Sequence, residues 1–525
     1  MSNANLYQLI EQRMPADRSA ACLRVPGERE ISWGQLHATV GRMAALLTGL
    51  RFAPGSRLVA QVDKSPEALM LYLAALRSGM VYVPLNVAYQ EAELRHFLDD
   101  SQPAVAVCAP RRVSLFEALA PGAACFSLDE RGQGTLKQAA ERVGGDFATA
   151  QCSADQPAAI VYTSGTTGRS KGAVLSHGNL STNALLLDEY WGFRQRREQG
   201  AADVVLHALP LFHVHGLFVA CHCALVSGAT IIFLPRFDAG QVLRALPHAT
   251  VMMGVPTFYT RLLQEAQFGS EACSSIRLFI SGSAPLLAET FETFRKRTGH
   301  TLLERYGMSE TLMLASNPYF GDPVRGRIPG TVGPPLPGVQ IRITRADGAP
   351  AAAGEVGAVE VRGPSVFGGY WRQPSRLRED FTSDGYFRTG DLGCLGAQGA
   401  PANYLKLIGR AKDLIITGGY NVYPKEIESY LDLLPGVRES AVVGLPHPDF
   451  GEAVCAFVVM ERAGEVDPAQ IIGQLKDQIA GFKVPKRIWC VPELPRNAMG
   501  KVQKNLLREK YGGEFRDQPG IQPRP

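Results

Sequence analysis

The segment YTSGTTGRSKG, residues 162–172, combines hydroxyl side chains, glycines and one lysine in a pattern typical of an anion-binding loop. Glycines let backbone N–H groups approach the oxygens of an anion, and the hydroxyls and Lys171 complete the shell. A loop of the GxxxxGK[ST] type is excluded, because Ser170 stands before Lys171 where that motif requires glycine. A flexible polar loop is the alternative interpretation.

A second segment, RYGMSET at residues 305–311, places three useful groups in one predicted turn. Tyr306 offers a ring that can stack on a base, Ser309 offers a hydroxyl for a phosphate, and Glu310 offers a carboxylate that can bind Mg²⁺. Taken alone, Glu310 is equally well explained as a surface charge.

Three more segments lie towards the C-terminus. YFRTGDLG, residues 386–393, presents Asp391 in a predicted glycine-flanked turn, where a carboxylate can bind ribose hydroxyls. Arg410 follows in GRAKDLIITGGYN, and Lys501 follows a glycine in PRNAMGKVQKN. Each of these has an ordinary alternative, since Asp391 also suits a helix cap and Lys501 also suits a solvated surface lysine.

In this order and spacing, the five motifs resemble those of the adenylate-forming superfamily of acyl-CoA synthetases, adenylation domains and luciferases. The resemblance extends from about residue 5 to residue 510. It implies an N-terminal adenylation domain of residues 1–411, which binds ATP and the acyl substrate, and a small mobile C-terminal domain of residues 412–525 with its hinge at Lys412. It also implies that the first loop holds the pyrophosphate of ATP.

Within the superfamily, the chain resembles the malonyl-CoA synthetases. Most of the superfamily has proline before the loop lysine, whereas this chain has TGRSKGA, together with PLFHVHGLFVA, GVPTFYTRLL and GGYNVYPKEIES. The resemblance implies conversion of ATP, malonate and CoA to malonyl-CoA, AMP and pyrophosphate through a malonyl-adenylate. A methylmalonate or short-chain acyl-CoA ligase is the alternative of the same chemistry. A non-catalytic adenylate-fold binding protein is the alternative of another class, which the presence of Lys501 and Glu310 opposes.

The same resemblance implies a role for individual residues. Lys501 contacts the α-phosphate and the attacking carboxylate, Glu310 and Thr163 hold Mg²⁺, and His213 is the gate between the nucleotide site and the CoA channel. The residues implied in ATP or AMP binding are Thr163, Ser164, Gly165, Thr166, Thr167, Gly168, Lys171, Ser283, Ala284, Pro285, Glu304, Arg305, Tyr306, Gly307, Met308, Ser309, Asp391 and Arg410. The residues implied in acyl binding are Val214, His215, Arg261, Ser283 and Met308, and those implied in CoA binding are Gly418, Gly419 and Tyr420.

The acyl pocket of a malonate ligase has a requirement that the pocket of a fatty-acyl ligase lacks. A dicarboxylate needs a cation at the end of its pocket, whereas a long acyl chain needs an apolar tunnel. Arg261, expected on the first turn of a helix after VPTFYT, is the candidate cation, and a surface arginine is its alternative interpretation. His215 and Ser283 are the expected neighbouring donors.

The alternation of apolar runs with helical stretches predicts the strands and helices that position these residues. AIVYT, ATIIFLP, TVMMGVP and IRLFISG read as strands, and helices are expected at SPEALMLYLAALRSG and HGNLSTNALLLDEY. This is the pattern of α/β layers around a mostly parallel sheet. From about residue 331 a β-rich subdomain is expected, and from Lys412 a small α+β domain. The segment at 400–403 is interpreted as an insertion, and the tail from residue 512 is expected to be disordered.

Composition limits the class of protein. The chain has 525 residues, is 46% apolar and carries a net charge of +4 without a basic block, which argues against a nucleic-acid-binding protein. Its 10 cysteines contain no CxxC pair, and most of them are expected to be buried thiols in a reducing compartment. No signal peptide or membrane helix is expected. The sequence thus predicts a cytoplasmic enzyme, a monomer or weak homo-oligomer, that uses ATP, Mg²⁺ and CoA.

Overall fold

The computed structural model describes residues 3–163, 170–322, 326–397, 399–417, 420–461, 467–476, 478–497 and 500–515. The chain divides into two compact units, one formed by Met1–Gln340 and Val361–Phe387 and the other by Ile341–Glu360 and Arg388–Pro525. Each unit therefore takes in two separate stretches of chain. The predicted boundary between residues 411 and 412 stays a prediction, and the last part of the predicted disordered tail, residues 516–525, lies outside the described residues.

The first unit contains most of the helices and two sheets. Its helices are α1 (Leu6–Arg13), α2 (Trp33–Gly49), α3 (Pro66–Arg77), α4 (Glu91–Ser101), α5 (Val113–Leu119), α6 (Thr135–Ala140), α7 (His177–Tyr190), α8 (Phe193–Glu198), α9 (His222–Ser227), α10 (Ala239–Ala245), α11 (Pro256–Gln264), α12 (Ala288–Thr298) and α13 (Leu377–Asp380). Its strands are β1 (Ala21–Val25), β2 (Arg29–Ser32), β3 (Arg57–Gln61), β4 (Val81–Pro84), β5 (Val105–Cys108), β6 (Ala124–Ser127), β7 (Pro157–Thr163), β8 (Lys171–Ser176), β9 (Val204–His207), β10 (Thr230–Phe233), β11 (Val251–Gly254), β12 (Leu278–Ser281), β13 (Leu303–Met308) and β14 (Leu312–Ser316).

Both sheets of the first unit are parallel except at their edges. One has the strand order β14-β13-β12-β11-β9-β10-β1-β2, and the other has the order β6-β5-β3-β4-β7-β8. The antiparallel pairs are β1 with β2, β13 with β14 and β7 with β8. The central strands are short apolar runs buried along their whole length, as expected for strands covered on both faces by helices. The predicted α/β layers are confirmed.

Local sequence signals fix the helix starts in this unit. The Ser65 side chain accepts a hydrogen bond from the backbone of Ala68, and Pro66 occupies the first turn of α3. Ser176 and Asn179 form a capping box at the start of α7. One apolar core packs α10, α11 and α12 against the first sheet, with Tyr259 and Phe279 fully buried in it. This core therefore fixes α10, α11 and α12 against the sheet whose strands carry part of the candidate site.

The second unit is the β-rich part of the chain and its C-terminal region. The strands β15 (Gln340–Thr344), β16 (Gly357–Arg362), β17 (Phe387–Leu395) and β18 (Leu405–Arg410) form a sheet in that order, with most of their residues in the second unit. A further sheet has the order β20-β19-β22-β21 and is built from β19 (Ile415–Thr417), β20 (Tyr420–Val422), β21 (Val437–His447) and β22 (Gly451–Met460), with β23 (Arg487–Cys490) paired to β22. The helices are α14 (Pro424–Leu431), α15 (Pro468–Lys476) and α16 (Lys504–Tyr511).

The long β21–β22 hairpin organises the C-terminal part of this unit. Alternate residues of the two strands contribute to two different apolar clusters, one on each face. Val442 and Val454 belong to the cluster that packs against α14 and α15, whereas Val443 and Cys455 belong to the cluster that contains Leu507 of α16. This alternation is the period-two pattern of a strand with both faces covered. In the part of the chain that the structure describes, no helix is long and apolar enough to cross a membrane.

Candidate active site

A π-helical segment, His215–Cys221, lies in the first unit and begins at one of the residues predicted to bind the acyl group. π-Helical turns are rare and are found frequently at functional sites. His215 is buried, and its Nδ1 atom lies 3.2 Å from the Oγ atom of Ser283. Val214 is buried beside it, and the half-buried His213 accepts the amide of Leu217 through its carbonyl. The predicted pair of donors, His215 and Ser283, is therefore brought together.

Ser283 itself has an unusual backbone conformation. It follows β12 with a φ of 72°, in the left-handed region that a residue with a side chain rarely adopts. Such a conformation is retained where the surrounding structure demands it, often in a binding site. Ala284 is half-buried and Pro285 is exposed, so the segment after the strand runs from the interior towards solvent.

A buried cation lies immediately next to this segment. Arg305, on β13, is 3% exposed, and its Nε and Nη2 atoms have no hydrogen-bond partner among the described residues. Its guanidinium packs so closely on Gly282 that a Cβ atom there would lie 2.5 Å from the Arg305 Cζ atom. No carboxylate of the described residues forms an ion pair with Arg305, and burial lowers the pKa of its guanidinium to about 10. This buried charge is therefore not compensated by any carboxylate in the part of the chain that the structure describes.

Arg261, the cation expected from the sequence, occupies a different position. It lies in the last turn of α11, not in the first turn as predicted, and it is exposed. The prediction was wrong because α11 already begins at Pro256, so the segment read as a lead-in to the helix is its first turn. The buried residues of α11, Pro256, Tyr259 and Leu262, lie on its other face. The sequence motif assigns Arg305 to the nucleotide. Because Arg305 is buried and Arg261 is exposed, Arg305 is the stronger candidate for the cation of the acyl pocket.

A second cluster in the first unit gathers groups suited to phosphate and Mg²⁺. The carboxylate of Glu310 is buried and accepts hydrogen bonds from the Thr163 hydroxyl at 3.3 Å and the Tyr370 hydroxyl at 2.9 Å. Lys171 lies on the neighbouring strand β8, with its ammonium 5.0 Å from the centre of the Tyr370 ring. Burial and, secondarily, the charge of Arg376 lower the pKa of Lys171. Thr163, Lys171 and Glu310, predicted to act together, do lie together.

Tyr370 is a member of this cluster that the sequence analysis missed. Burial raises the pKa of its hydroxyl, and the neighbouring Glu310 raises it further. The tyrosine therefore remains a hydrogen-bond donor to Glu310. Its sequence signal was the segment FGGYW, in which two glycines precede two aromatic residues outside any recognised strand or helix.

The donor set fits Mg²⁺. This ion is usually held by one or two carboxylates together with substrate phosphates, so one glutamate and one hydroxyl are sufficient protein ligands. Glu310 and Thr163 supply these oxygens within hydrogen-bond distance of each other. Among the described residues, no group of three or more His, Cys, Asp or Glu side chains is arranged to hold a metal ion.

The segment from Glu304 to Ser309 connects the two clusters. Glu304 is buried and accepts a hydrogen bond from the amide of Leu286. Tyr306 is buried within β13, so it lies in a strand and not in one turn with Ser309 and Glu310 as predicted. Gly307 is required, because a Cβ atom there would lie 2.0 Å from the carbonyl oxygen of Leu312. Met308 and Ser309 are half-buried at the end of the strand.

A buried lysine, Lys64, is hydrogen-bonded to His207, the last residue of β9. Lys64 donates from Nζ to His207 Nδ1 at 2.7 Å and to the His207 carbonyl at 2.9 Å. The Nε2 atom of His207 in turn lies 2.9 Å from the carbonyl of Gly216, which belongs to the π-helical segment. Burial lowers the pKa of Lys64 to about 7. The sequence offered no signal for this pair, since neither residue belongs to one of the motifs.

In the second unit, Asp391 and Arg410 form a cross-strand pair. They are directly opposite each other on β17 and β18, and the Arg410 Nε atom lies 2.9 Å from the Asp391 Oδ1 atom. Arg410 also donates to the Thr389 carbonyl at 3.0 Å. Asp391 therefore lies within a strand, not in a turn as predicted, because Gly390 and Gly393 are accommodated in the ladder. The segment at 400–403, interpreted from the sequence as an insertion, lies in the connection between the two strands and does not disturb this pairing.

The remaining predicted residues of this unit lie on its surface. Lys412 is exposed in the short 3₁₀ helix Ala411–Asp413, and Tyr420 is exposed with its ring stacked on Phe482 at 4.6 Å. Lys501 is exposed, and its amide donates to the Asn497 side chain. The predicted residues Ser164, Gly165, Thr166, Thr167, Gly168, Gly418 and Gly419 lie outside the described residues.

Comparison with known proteins adds independent information. The profile of the family of AMP-binding enzymes matches residues 10–371, and that of the AMP-binding enzyme C-terminal domain matches residues 426–501. A probable CoA ligase of Humulus lupulus, CCL8, is 37% identical over 88% of this chain and 81% of its own length. A malonate–CoA ligase of Arabidopsis thaliana is 35% identical over 92% of this chain and 84% of its own length. The crystal structure of ATP-bound MatB from Rhodopseudomonas palustris is similar with a TM-score of 0.93 and 48% identity, covering 98% of this chain and 100% of that one.

Proposed function

Because the chain belongs to the family of AMP-binding enzymes and is an AMP-forming acyl-CoA synthetase, we propose that it is a malonate–CoA ligase. It joins malonate to CoA at the expense of ATP, with AMP and pyrophosphate as the other products. Magnesium dependence, a cytoplasmic location and a monomeric or weakly oligomeric state are parts of this proposal. The observation that carries the choice of a dicarboxylic acid is the buried guanidinium of Arg305, whose Nε and Nη2 atoms have no hydrogen-bond partner among the described residues.

The argument from Arg305 is one of charge compensation. A cation held away from water is costly unless an anion accompanies it. Arg305 has no carboxylate partner in the part of the chain that the structure describes. Its burial lowers the pKa of its guanidinium to about 10, which reflects the cost of keeping the charge away from water. When one carboxylate of malonate reacts, the second lies about one methylene away and must be buried with it. A planar guanidinium binds such a carboxylate through parallel hydrogen bonds. Ser283 and His215, next to each other and adjacent to Gly282, supply further donors.

In the first half-reaction, the reacting carboxylate of malonate attacks the α-phosphorus of ATP, and pyrophosphate leaves. Negative charge accumulates on the phosphoryl oxygens, so the protein accelerates the step mainly by positioning and electrostatic stabilisation. Lys501 contacts the α-phosphate and the attacking carboxylate, and Lys171 with the loop 163–168 contacts the β- and γ-phosphates. Glu310 and Thr163 would hold Mg²⁺, which neutralises charge on phosphate oxygens when bound. Tyr370 keeps the Glu310 carboxylate in one orientation through its hydrogen bond.

The nucleoside is held by the remaining residues of the proposal. Asp391 accepts hydrogen bonds from the ribose hydroxyls, and its pairing with Arg410 holds its side chain in the orientation needed for that purpose. Tyr306 and its neighbours line the adenine pocket. These roles rest on the motif pattern together with the burial and pairing of the side chains.

In the second half-reaction, the CoA thiol attacks the carbonyl carbon of malonyl-adenylate, and AMP leaves. We assign the gate to this thiol to His213, the change of domain orientation to Lys412, and the contact with the pantetheine arm to the segment 418–420. Lys501 is needed in the first half-reaction only.

A panel of acids tests the proposal. Purified protein is incubated with ATP, Mg²⁺ and CoA and with malonate, methylmalonate, propionate, butyrate or a long-chain fatty acid, and AMP and acyl-CoA are both measured. Malonate is expected to give the highest kcat/KM, and propionate and butyrate, which lack the second charge, are expected to be poor substrates. A preference for methylmalonate would support the alternative dicarboxylate ligase. A preference for butyrate would overturn the assignment of Arg305 and leave a short-chain acyl-CoA ligase.

A further inference from the structure

Helix α16, which begins at Lys504, is joined to two other elements of the second unit by ion pairs. The Lys504 Nζ atom lies 2.6 Å from Glu428 Oε1 on α14. One turn further along the helix, the Arg508 Nη2 atom lies 2.8 Å from Asp413 Oδ1. Both basic residues lie on one side of the helix, since residues four apart share a face.

The first of these pairs is a fixed anchor. Glu428 is buried and also accepts a hydrogen bond from the amide of Val442 at 2.9 Å. Burial alone would raise the pKa of Glu428, but Lys504 and then Lys425 outweigh it and hold that pKa below its usual range. Leu507, three residues after Lys504, is buried in the apolar cluster on the β21–β22 hairpin. The helix is therefore held both by an ion pair and by apolar contacts, and its N-terminus does not move freely with respect to the sheet.

The helix follows directly after the loop that carries Lys501. Lys504 is the third residue after Lys501, and the loop is closed by the backbone bridge between Arg496 and Val502 and the bond from the Asn497 amide to the Lys501 carbonyl. The amide of Gln503 donates to the Pro495 carbonyl at 2.8 Å. A shift of α16 therefore displaces the loop with it.

The second ion pair reaches the short 3₁₀ helix that follows β18 in the same unit. Asp413 is the neighbour of Lys412 in the 3₁₀ helix Ala411–Asp413 and the closing residue of that helix. Lys412, Asp413, Arg508 and Lys501 thus lie on one continuous path made of two short chain segments and one charged hydrogen bond. Both partners of that bond are partly exposed, at 28% and 19%, so it can be broken and re-formed at moderate cost.

We propose that Arg508 is a positioning residue which, through Asp413, couples the backbone conformation at Lys412 to the position of Lys501. The inference rests on the proposed function, because it assumes that Lys412 is the hinge and that Lys501 serves adenylation alone. Loss of the ion pair lets the hinge segment and the Lys501 loop move independently. Adenylation should then suffer, whereas formation of the thioester, which does not use Lys501, should not.

The two half-reactions are measured separately on Arg508→Met and Asp413→Asn. Adenylation is followed by malonate-dependent exchange of pyrophosphate into ATP, and thioester formation is followed from preformed malonyl-adenylate and CoA. Each variant is expected to lose adenylation about 10-fold, with thioester formation within about threefold of wild type, so the two effects differ by at least about 0.7 kcal/mol. The charge swap Asp413→Arg with Arg508→Asp is expected to recover at least half of the lost adenylation rate.

Arg342→Met is the matched control, because Arg342 forms an ion pair of the same 2.8 Å length with the buried Glu360 in the same unit. It should leave the ratio of the two half-reactions unchanged, and thermal unfolding is recorded for every variant. The inference would be overturned if Arg508→Met and Asp413→Asn lowered both half-reactions equally. It would also be overturned if Arg342→Met changed the ratio of the two half-reactions as much as they do. Absence of malonate-dependent exchange in the wild type would instead contradict the proposed function, so the two failures are distinguishable.

Discussion

Arg305→Met is expected to raise the free energy of unfolding and to lower the activity with malonate, whereas most substitutions that lower activity also lower stability. The side chain is buried, and burial lowers its pKa from the usual value of an arginine to about 10. A shift of that size corresponds to about 3 kcal/mol of unfavourable free energy for the charged form at pH 7. Methionine has a similar length and no charge, so it fills the same space against Gly282 without that cost. The ligand-free variant should therefore be more stable to urea than wild type, by up to about 3 kcal/mol.

The effect on activity has the opposite sign. In the complex, the distal carboxylate of malonate compensates the buried guanidinium, and in the variant that carboxylate is buried without a cation. The same 3 kcal/mol or so then appears as a loss of about 10²-fold in kcat/KM for malonate. The KM for ATP should hardly change, because Thr163, Lys171 and Glu310 are untouched. Activity with propionate or butyrate should stay the same or rise, since neither acid carries a second charge.

Arg261→Met is the matched control for this experiment. It removes the same group from an exposed position in the last turn of α11. It is expected to keep kcat/KM for malonate within about threefold of wild type, which is about 0.7 kcal/mol. The assays are initial rates of AMP formation with each acid, together with urea unfolding of both variants. If Arg261→Met lost malonate activity while Arg305→Met kept it, the assignment of the distal carboxylate to Arg305 would be refuted.

Three further predictions concern residues of both units. Lys501→Ala should abolish pyrophosphate exchange yet retain thioester formation from preformed malonyl-adenylate, and equal loss of both in a folded variant would contradict the single role given to this lysine. Lys412→Pro fixes φ near −65° and should impair one half-reaction far more than the other, as the same pair of assays will show. The free energy of unfolding of the wild type should rise by up to about 3 kcal/mol between about pH 7 and pH 9.5, because folded Lys64, with its pKa of about 7, binds fewer protons than the unfolded chain in that window. Lys64→Met should remove that rise in urea titrations, and an unchanged pH profile would show that another group is responsible.

The strands and helices of the first unit were predictable from the sequence because their signals are local. The run TVMMGVP coincides with β11 and HGNLSTNALLLDEY with α7, where Ser176 caps the helix start. Glu310, Thr163 and Lys171 were also predicted to act together, and the structure places them in one cluster. These residues belong to motifs whose spacing along the chain is itself informative.

The acyl pocket was harder to predict because burial and pairing are properties of the tertiary structure. Arg261 and Arg305 are both arginines next to apolar segments, and the sequence does not indicate which of them is buried. Arg277, another arginine of the first unit, forms an ion pair with Asp203 at 2.8 Å. Only the three-dimensional arrangement shows that Arg305 combines burial with unsatisfied donors. The pair of Lys64 and His207 was likewise invisible, since 143 residues separate its members.

The cluster around Glu310 has a consequence for how the protein acquires its binding ability during folding. Its hydrogen bonds join residues separated by 147 positions in the case of Thr163 and by 60 in the case of Tyr370. Contacts between residues so far apart in sequence carry the entropic cost of closing a long loop, so they form later than local helices and hairpins. A refolding chain should therefore regain most of its helical signal before it binds ATP. During synthesis, ATP cannot stabilise the nascent chain through this cluster until Tyr370 has left the ribosome.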